Sequence, residues 1–294
     1  MKSLTESLVR LGLWSGRALS RLPIALRRPL AWGLGRLLYG LAIGRRRVAM
    51  TNLGLCFPDW TLADRRQMTK AHFVFYARAF FDRFAVWRAD EQTVRQMVTL
   101  KDAHFFEAVK DRPTIVLAPH FLGLDAGGLR LQLDCQMVSM YSNQSSEVLN
   151  NFVLAGRSRF NDPVLLSRQD GIGRLVRLLK KGHTAYFLPD MDFGVRGSVF
   201  AMFFNQPAAT VTSVVRLAQL TGAAVCPMVT RMTDEGYQAQ FYEPWFHAPD
   251  QDLVSAVQQM NDFIERRVAE MPSQYLWTHR RFKTRPDGQA SVYA

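Results

Sequence analysis

The sequence predicts an α/β fold, a mixed and mostly parallel sheet flanked by helices, led by an N-terminal helical membrane-associating segment. Three observations predict it. Short continuous apolar runs, two of them closed by proline, alternate with stretches of helical periodicity after residue 113. Residues 48–112 read as helical throughout. Residues 4–22 are amphipathic and rich in arginine. The division expected is a basic segment over 1–47 and a main unit over 48–294, with a helical lead-in (48–112) and an α/β core (113–294).

Taken in order, Arg10, Arg17 and Arg21 fall within about 40° on a helical wheel, and Leu4, Leu8, Leu11, Leu19 and Leu22 cluster opposite them across about 80°. Val9 and Leu13 stray from that face. Pro23 and Pro29 are expected to interrupt the helix before a second apolar stretch, Leu30–Ile43, that ends at Arg45-Arg46-Arg47. Thr61 caps a helix over Arg65–Phe84, and another follows near Ala89–Lys101. Thr114–Ala118 is a buried strand stopped by Pro119, Leu122–Leu133 the next helix, and Met137–Tyr141 the second strand. Helices over Ser146–Phe160 and Ile172–Lys181 precede the strand Thr184–Leu188, stopped by Pro189. The uncharged run Gly197–Val215 reads as buried core plus turn. A helix at Thr212–Leu220, a strand at Ala223–Thr230, its antiparallel neighbour Tyr237–Tyr242 and the helix Leu253–Met271 complete the core. The segment after Pro286 reads as a linker-like tail.

Length and composition narrow the function. With 294 residues and 48% hydrophobic content the chain builds a full core, which excludes disordered and disulfide-stapled classes. Cys56, Cys135 and Cys226 are far apart and lack metal-ligand spacing, so no metal is expected and each is a small core residue. The net charge of +12 is concentrated at the ends: residues 1–47 carry +9 and residues 280–294 carry +3, while the body between is neutral. Basic groups opposite an apolar face suit an anionic membrane surface. The alternative is an ordinary helix packed on its own domain with a solvated arginine face. No helix-turn-helix, zinc-finger or RNP-type pattern accompanies the charge, so nucleic acid is not an expected partner.

In an open α/β sheet functional groups gather at the carboxyl ends of strands. His120 stands directly after the strand Thr114–Ala118, and Asp125 follows in His120-Phe-Leu-Gly-Leu-Asp125. With His120 in the entry turn and Asp125 in the first helical turn, the carboxylate reaches back to the imidazole and holds Nδ1–H. That leaves Nε2 to accept a proton from an attacking hydroxyl. No GxSxG elbow is present, so the hydroxyl belongs to the substrate and acyl transfer is direct. Asp190 and Asp192 follow the third strand at the same rim, where they orient His120 or the acceptor, or serve the turn. The other histidines show no metal-ligand spacing and are expected to lie on the surface or be locally satisfied. His279 heads a basic run that is a solvated tail or a contact for an anionic headgroup or carrier protein.

His120-x4-Asp125 resembles the His-x4-Asp/Glu signature of glycerolipid and lipid A acyltransferases, and more of the chain resembles the late acyltransferases of lipid A biosynthesis, the lauroyl/myristoyl transferase family. The similar stretches are Arg46-Arg-Val-Ala-Met-Thr-Asn-Leu53, Cys56-Phe-Pro58, Gly156-Arg-Ser-Arg-Phe160, Pro189-Asp-Met-Asp-Phe-Gly194, Val199-Phe-Ala-Met-Phe-Phe204 and Gln274-Tyr-Leu-Trp-Thr-His-Arg-Arg-Phe-Lys283. Met191 stands where a glutamine is commoner, and Asn205 where a glycine is.

The resemblance implies a glycerolipid-acyltransferase-like fold. It implies transfer of a fatty acyl group from acyl-carrier protein, or less often acyl-CoA, to a hydroxyl of a lipid A precursor. The place implied is the cytoplasmic face of a Gram-negative inner membrane, and no cofactor is required. His120 and Asp125 map onto the catalytic dyad. Arg157, or in its stead Arg159, maps onto an arginine used near the oxyanion or a substrate phosphate. Two alternatives remain: a phospholipid or other glycolipid acyltransferase sharing the dyad, and a catalytically inactive membrane-binding protein.

Overall fold

A computed structural model of the chain describes residues 2–167 and 170–293. Five helices come first, α1 (Lys2–Leu19), α2 (Ile24–Leu41), α3 (Ile43–Cys56), α4 (Leu62–Val86) and α5 (Glu91–Met97), and the division expected between residues 47 and 48 falls inside α3. After β1 (Val98–Lys101) and the short α6 (His104–Glu107) come β2 (Thr114–Leu117), α7 (Leu124–Gln132), β3 (Met137–Tyr141) and α8 (Glu147–Arg157). Then follow β4 (Val164–Ser167), α9 (Ile172–Lys180), β5 (Thr184–Phe187), β6 (Ser198–Phe203), β7 (Gln206–Val211) and α10 (Ser213–Thr221). The last elements are β8 (Ala224–Met232), β9 (Tyr237–Phe241), β10 (Trp245–Phe246) and α11 (Leu253–Glu270).

The main sheet runs β1-β9-β8-β2-β5-β3-β4. Strands β8, β2, β5, β3 and β4 are mutually parallel, and β9 turns back antiparallel to β8. Side chains alternate across the sheet. Ile115 and Leu117 enter one core with Val225, Ala185 and α10–α11, whereas Val116 and Ala118 enter the other with Cys226, Tyr186 and α7. With both faces covered, β2 is buried at every position, which is why it reads as an unbroken apolar run.

Several expectations change. The helix expected to reach Lys101 ends at Met97, because Val98–Lys101 pairs parallel with Tyr237–Gln240 and covers the β9 edge. The run 197–215 contains the β6–β7 hairpin, whose turn residues Phe204 and Asn205 both have positive φ, the geometry that matches strand twist. Asparagine tolerates that conformation better than most residues. Strand β4 escaped the reading because its four residues carry little periodicity. Pro29 lies inside α2, since packing along α4 outweighs one missing N–H.

The tail after Pro286 is not a linker. Trp277, Arg281 and Phe282 are buried, and the Tyr293 hydroxyl accepts from Phe282 N–H and donates to Asn52 on α3. Asn52 in turn donates to the carbonyls of Trp277 and His279.

The N-terminal helices meet the body through small residues. Gly16 abuts Phe84, and a Cβ at Gly35 would lie 2.5 Å from Val74 Cα of α4. On α1 the buried positions include Leu13, one of the strays, while Leu11 and Trp14 are exposed; the side chains of Leu4 and Leu8 lie outside the described residues. Among the described residues no helix is long and apolar enough to cross a membrane.

These contacts predict opposite effects at two glycines of α2. Gly35→Ala drives a methyl into the α4 backbone and lowers the thermal midpoint by several degrees, a cost of about 1–3 kcal/mol. Gly33→Ala meets nothing within 4 Å and stabilises by about 0.5–1 kcal/mol. Thermal melts of the two variants check both signs.

Candidate active site

Two strands with the same ending build the site. Leu117-Ala-Pro-His120 closes β2, and Phe187-Leu-Pro-Asp190 closes its parallel neighbour β5. Leu117 is in register with Phe187, so His120 and Asp190, each three residues farther on, emerge side by side. Proline ends both strands by withholding a ladder N–H. His120 Nδ1 lies 2.6 Å from Asp190 Oδ1, and the His120 backbone N–H donates to Asp190 Oδ2 at 2.9 Å. Asp190 is buried, and burial by itself would raise its pKa. The charge and hydrogen bonds of His120, with Arg281 beyond, prevail and hold it down to about 2. Facing a carboxylate, Nδ1 carries the proton, and Nε2 has no protein partner among the described residues.

The expected His120–Asp125 pair is not the one that forms. Asp125, in the first turn of α7, accepts from Arg157 Nη2 at 2.9 Å and Arg157 Nε at 3.1 Å, and faces Arg83 Nη2 at 2.8 Å. Burial pushes its pKa up, but the two guanidiniums outweigh that and bring it to about 2. Helical geometry explains the difference: α7 starts only at Leu124, and Asp125 points toward α4 and α8, the sources of Arg83 and Arg157. One acid thus holds the histidine and the other holds an arginine.

His120, Asp125 and Arg157 line a cleft of about 610 Å³ whose walls include Leu124, Leu129, Met137, Leu165 and Leu188. Gly156 lets α8 close against Trp87, where a Cβ would come within 2.1 Å of the indole. This brings Arg157, the last residue of α8, to the cleft with its side chain about one-third exposed.

Arg159 and Asp192 do not reach the cleft. Arg159 Nη2 donates to the Ala89 carbonyl at 2.8 Å and its guanidinium lies over Phe160. Asp192 is buried and fully engaged: it accepts from Thr284 N–H and hydroxyl and from Gly194 N–H. Its own N–H donates to His279 Nε2 at 3.1 Å. His279 therefore belongs to the scaffold beneath the site and not to a solvated tail. Arg83 and Tyr186 were missed, Tyr186 donating its hydroxyl to the Leu124 carbonyl at 2.8 Å. Each meets the site only through long-range packing, so no local motif announces it.

The buried titratable groups dictate an acid profile in two steps. His72 and His279 are held near 4 by burial, so the unfolded chain, with histidines near 6.5, binds more protons as pH falls from 6.5 toward 4. Asp125 and Asp190 then lose stabilisation between about 3.8 and 2. Each of these carboxylates contributes on the order of 2 kcal/mol above that range. Denaturant midpoints should fall between pH 7 and 4.5 and again below pH 4, the second fall shallower in Asp125→Asn; a profile flat down to pH 4.5 contradicts the buried neutral histidines.

A family model described as bacterial lipid A biosynthesis acyltransferase matches residues 1–284. The chain is 30% identical over 279 residues to the lipid A biosynthesis lauroyltransferase of Escherichia coli (strain K12), covering 93% of this chain and 90% of that protein. It is 31% identical over 289 residues to the lipid A biosynthesis palmitoleoyltransferase of the same organism, covering 95% and 94%. Relatives named for different acyl groups are thus equally similar, and similarity does not select an acyl length. The crystal structure of a 1-acyl-sn-glycerophosphate acyltransferase from Thermotoga maritima covers 86% of this chain and 99% of that one, with a TM-score of 0.38 at 15% identity. With the family match running from the first helix through the buried terminal segment, this chain is an acyltransferase and belongs to the bacterial lipid A biosynthesis acyltransferase family.

Proposed function

We propose that the chain transfers a fatty acyl group from acyl-carrier protein to a hydroxyl of a lipid A precursor, without an acyl-enzyme, at the cytoplasmic face of the inner membrane. The observation that carries this reading is the 2.6 Å contact of His120 Nδ1 with Asp190 beside the apolar-walled cleft. Asp190 keeps the proton on Nδ1 and stabilises the imidazolium that forms. Nε2 takes the proton of the acceptor hydroxyl as its oxygen attacks the thioester carbonyl. Collapse of the tetrahedral intermediate breaks the C–S bond, and the departing thiolate recovers the proton from Nε2. Ester and free thiol result, and the histidine is neutral again.

Arg157 supplies charge at the oxyanion or at a phosphate of the acceptor. Asp125, with Arg83 on its other oxygen, fixes where that guanidinium sits. In this reading Asp125 positions Arg157, while Asp190 does what the His-x4-Asp spacing assigned to Asp125. The walls that Leu129, Met137 and Leu165 provide suit an alkyl chain.

Membrane attachment is supported by α1 and α2. Leu26, Leu30, Leu37 and Leu41 form one stripe along α2 and are all exposed, Leu41 at 71%. Exposed leucines in a segment of +9 charge are the composition of an interfacial helix.

Two sets of variants test the proposal. His120→Ala and Asp190→Asn should each lower kcat by about 10²–10⁴ with KM little changed. Asp125→Asn should cost less and raise the acceptor KM through Arg157. Full activity in Asp190→Asn beside a dead Asp125→Asn would return the orienting role to Asp125 and sink this mechanism. For attachment, Leu30→Ser/Leu37→Ser/Leu41→Ser should weaken cosedimentation with anionic vesicles by about tenfold or more, since each buried leucine contributes about 1.5–3 kcal/mol. Undiminished vesicle binding contradicts the interfacial role of the stripe.

A further inference from the structure

A second concavity lies apart from the cleft, between α2 and the N-terminal half of α4. Trp32 and Arg36 form one wall and Arg66, Lys70, Val74 and Phe75 the other. Arg36 lies over the Trp32 ring at 5.1 Å, and Lys70 and Arg46 flank the Tyr39 ring at 5.6 and 5.1 Å. Among the described residues, Arg36, Arg46, Arg66 and Lys70 form no ion pair with any acid. The adjacent acid on α4, Asp64, is committed to the Thr61 cap. Folding does not favour this charge. Arg66 and Lys70 are a like-charge pair four residues apart, and Arg66 sits near a helix N-terminus, where a cation opposes the helix dipole. Exposed tryptophan with arginine is the composition of a protein-binding surface.

We propose that this groove is the docking surface for an acidic, helical carrier protein that presents the acyl group; the proposal rests on the carrier-borne donor of the preceding section. The α2 wheel favours a soluble acidic partner over the bilayer. Leu26, Leu30, Leu37 and Leu41 span about 60°, and Trp32 with Arg36 lies roughly 130° around the helix from them. When the leucine stripe enters a bilayer, the cationic groove turns toward the aqueous side. Along α4 the groove also lies near the chemistry. From Lys70 to Arg83, which holds Asp125 at the cleft wall, the rise is about 20 Å. An acyl group on an extended thiol arm bridges that separation. The charge asymmetry of the chain thereby divides by face, with apolar leucines for lipid and unpaired cations for the carrier.

The test is the triple variant Arg36→Glu/Arg66→Glu/Lys70→Glu, with Arg66→Glu alone as a milder change on an exposed side chain. Each is assayed with lauroyl-acyl-carrier protein and with lauroyl-pantetheine, which bears the same thioester without the protein. The dock predicts that KM for the carrier-borne donor rises about tenfold or more in the triple variant and by a smaller factor in the single one, with kcat within twofold. It also predicts unchanged kinetics with lauroyl-pantetheine, unchanged cosedimentation of Arg66→Glu, which lies outside the basic N-terminal segment, with anionic vesicles, and a KM for the carrier that climbs steeply with salt only in the wild type. An unchanged KM for the carrier overturns the dock, as does an equal loss on both donors in the single variant. Loss of vesicle binding with carrier KM intact reassigns the groove to lipid. A wild-type chain active on lauroyl-pantetheine but not on the carrier-borne donor refutes the donor reading itself, a result distinguishable from failure of the groove.

Discussion

The structure depends on the parallel register between β2 and β5. Pairing Leu117 with Phe187 delivers His120 and Asp190 to the same rim on two identically terminated strands, so the contact that sets the histidine tautomer is a consequence of sheet geometry. Because both strands are buried on both faces, a slip of one residue would move the whole apolar set of a strand to the wrong core. Packing of the two cores therefore enforces the His120–Asp190 contact, and no separate device is needed to hold it.

Around that contact the charges form two separate pairings. Asp190 is hydrogen-bonded to His120 and lies near the Arg281 guanidinium, and Asp125 is paired with Arg157 and Arg83. Two carboxylates serving one histidine would repel each other in a poorly solvated cleft, whereas here each sits within reach of its own cation. The terminal segment joins the arrangement from below. Leu276 N–H donates to the His120 carbonyl, Leu122 N–H donates to the Gln274 carbonyl, and Asp192 ties Thr284 and His279 to the loop that carries Asp190. What looked in the sequence like a basic tail packs against the loops that carry His120 and Asp190.

Much of this was legible because it is local. The strands 114–118, 137–141 and 184–188, the Thr61 cap and the long terminal helix follow from apolar run length, proline stops and 3.6-residue periodicity, and they lie where those patterns put them. His120 stood out because functional groups gather at the carboxyl ends of strands in open α/β sheets. The hairpin over 198–211 and strands β1 and β4 were not legible, since short strands take their identity from the edge or partner they pair with.

By itself, then, the sequence determined the α/β class, the location of the charge and the place of His120 at a strand end. Each of these depends on residue types within a few positions of one another. Only the tertiary structure decided which acid serves His120, which arginine enters the cleft, and that Asp192 and Arg159 stay out of it. Those choices depend on contacts across 70 residues for His120 with Asp190 and 32 for Arg157 with Asp125. A spacing of five along the chain constrains direction only within one helix, and the register of two parallel strands overrode it.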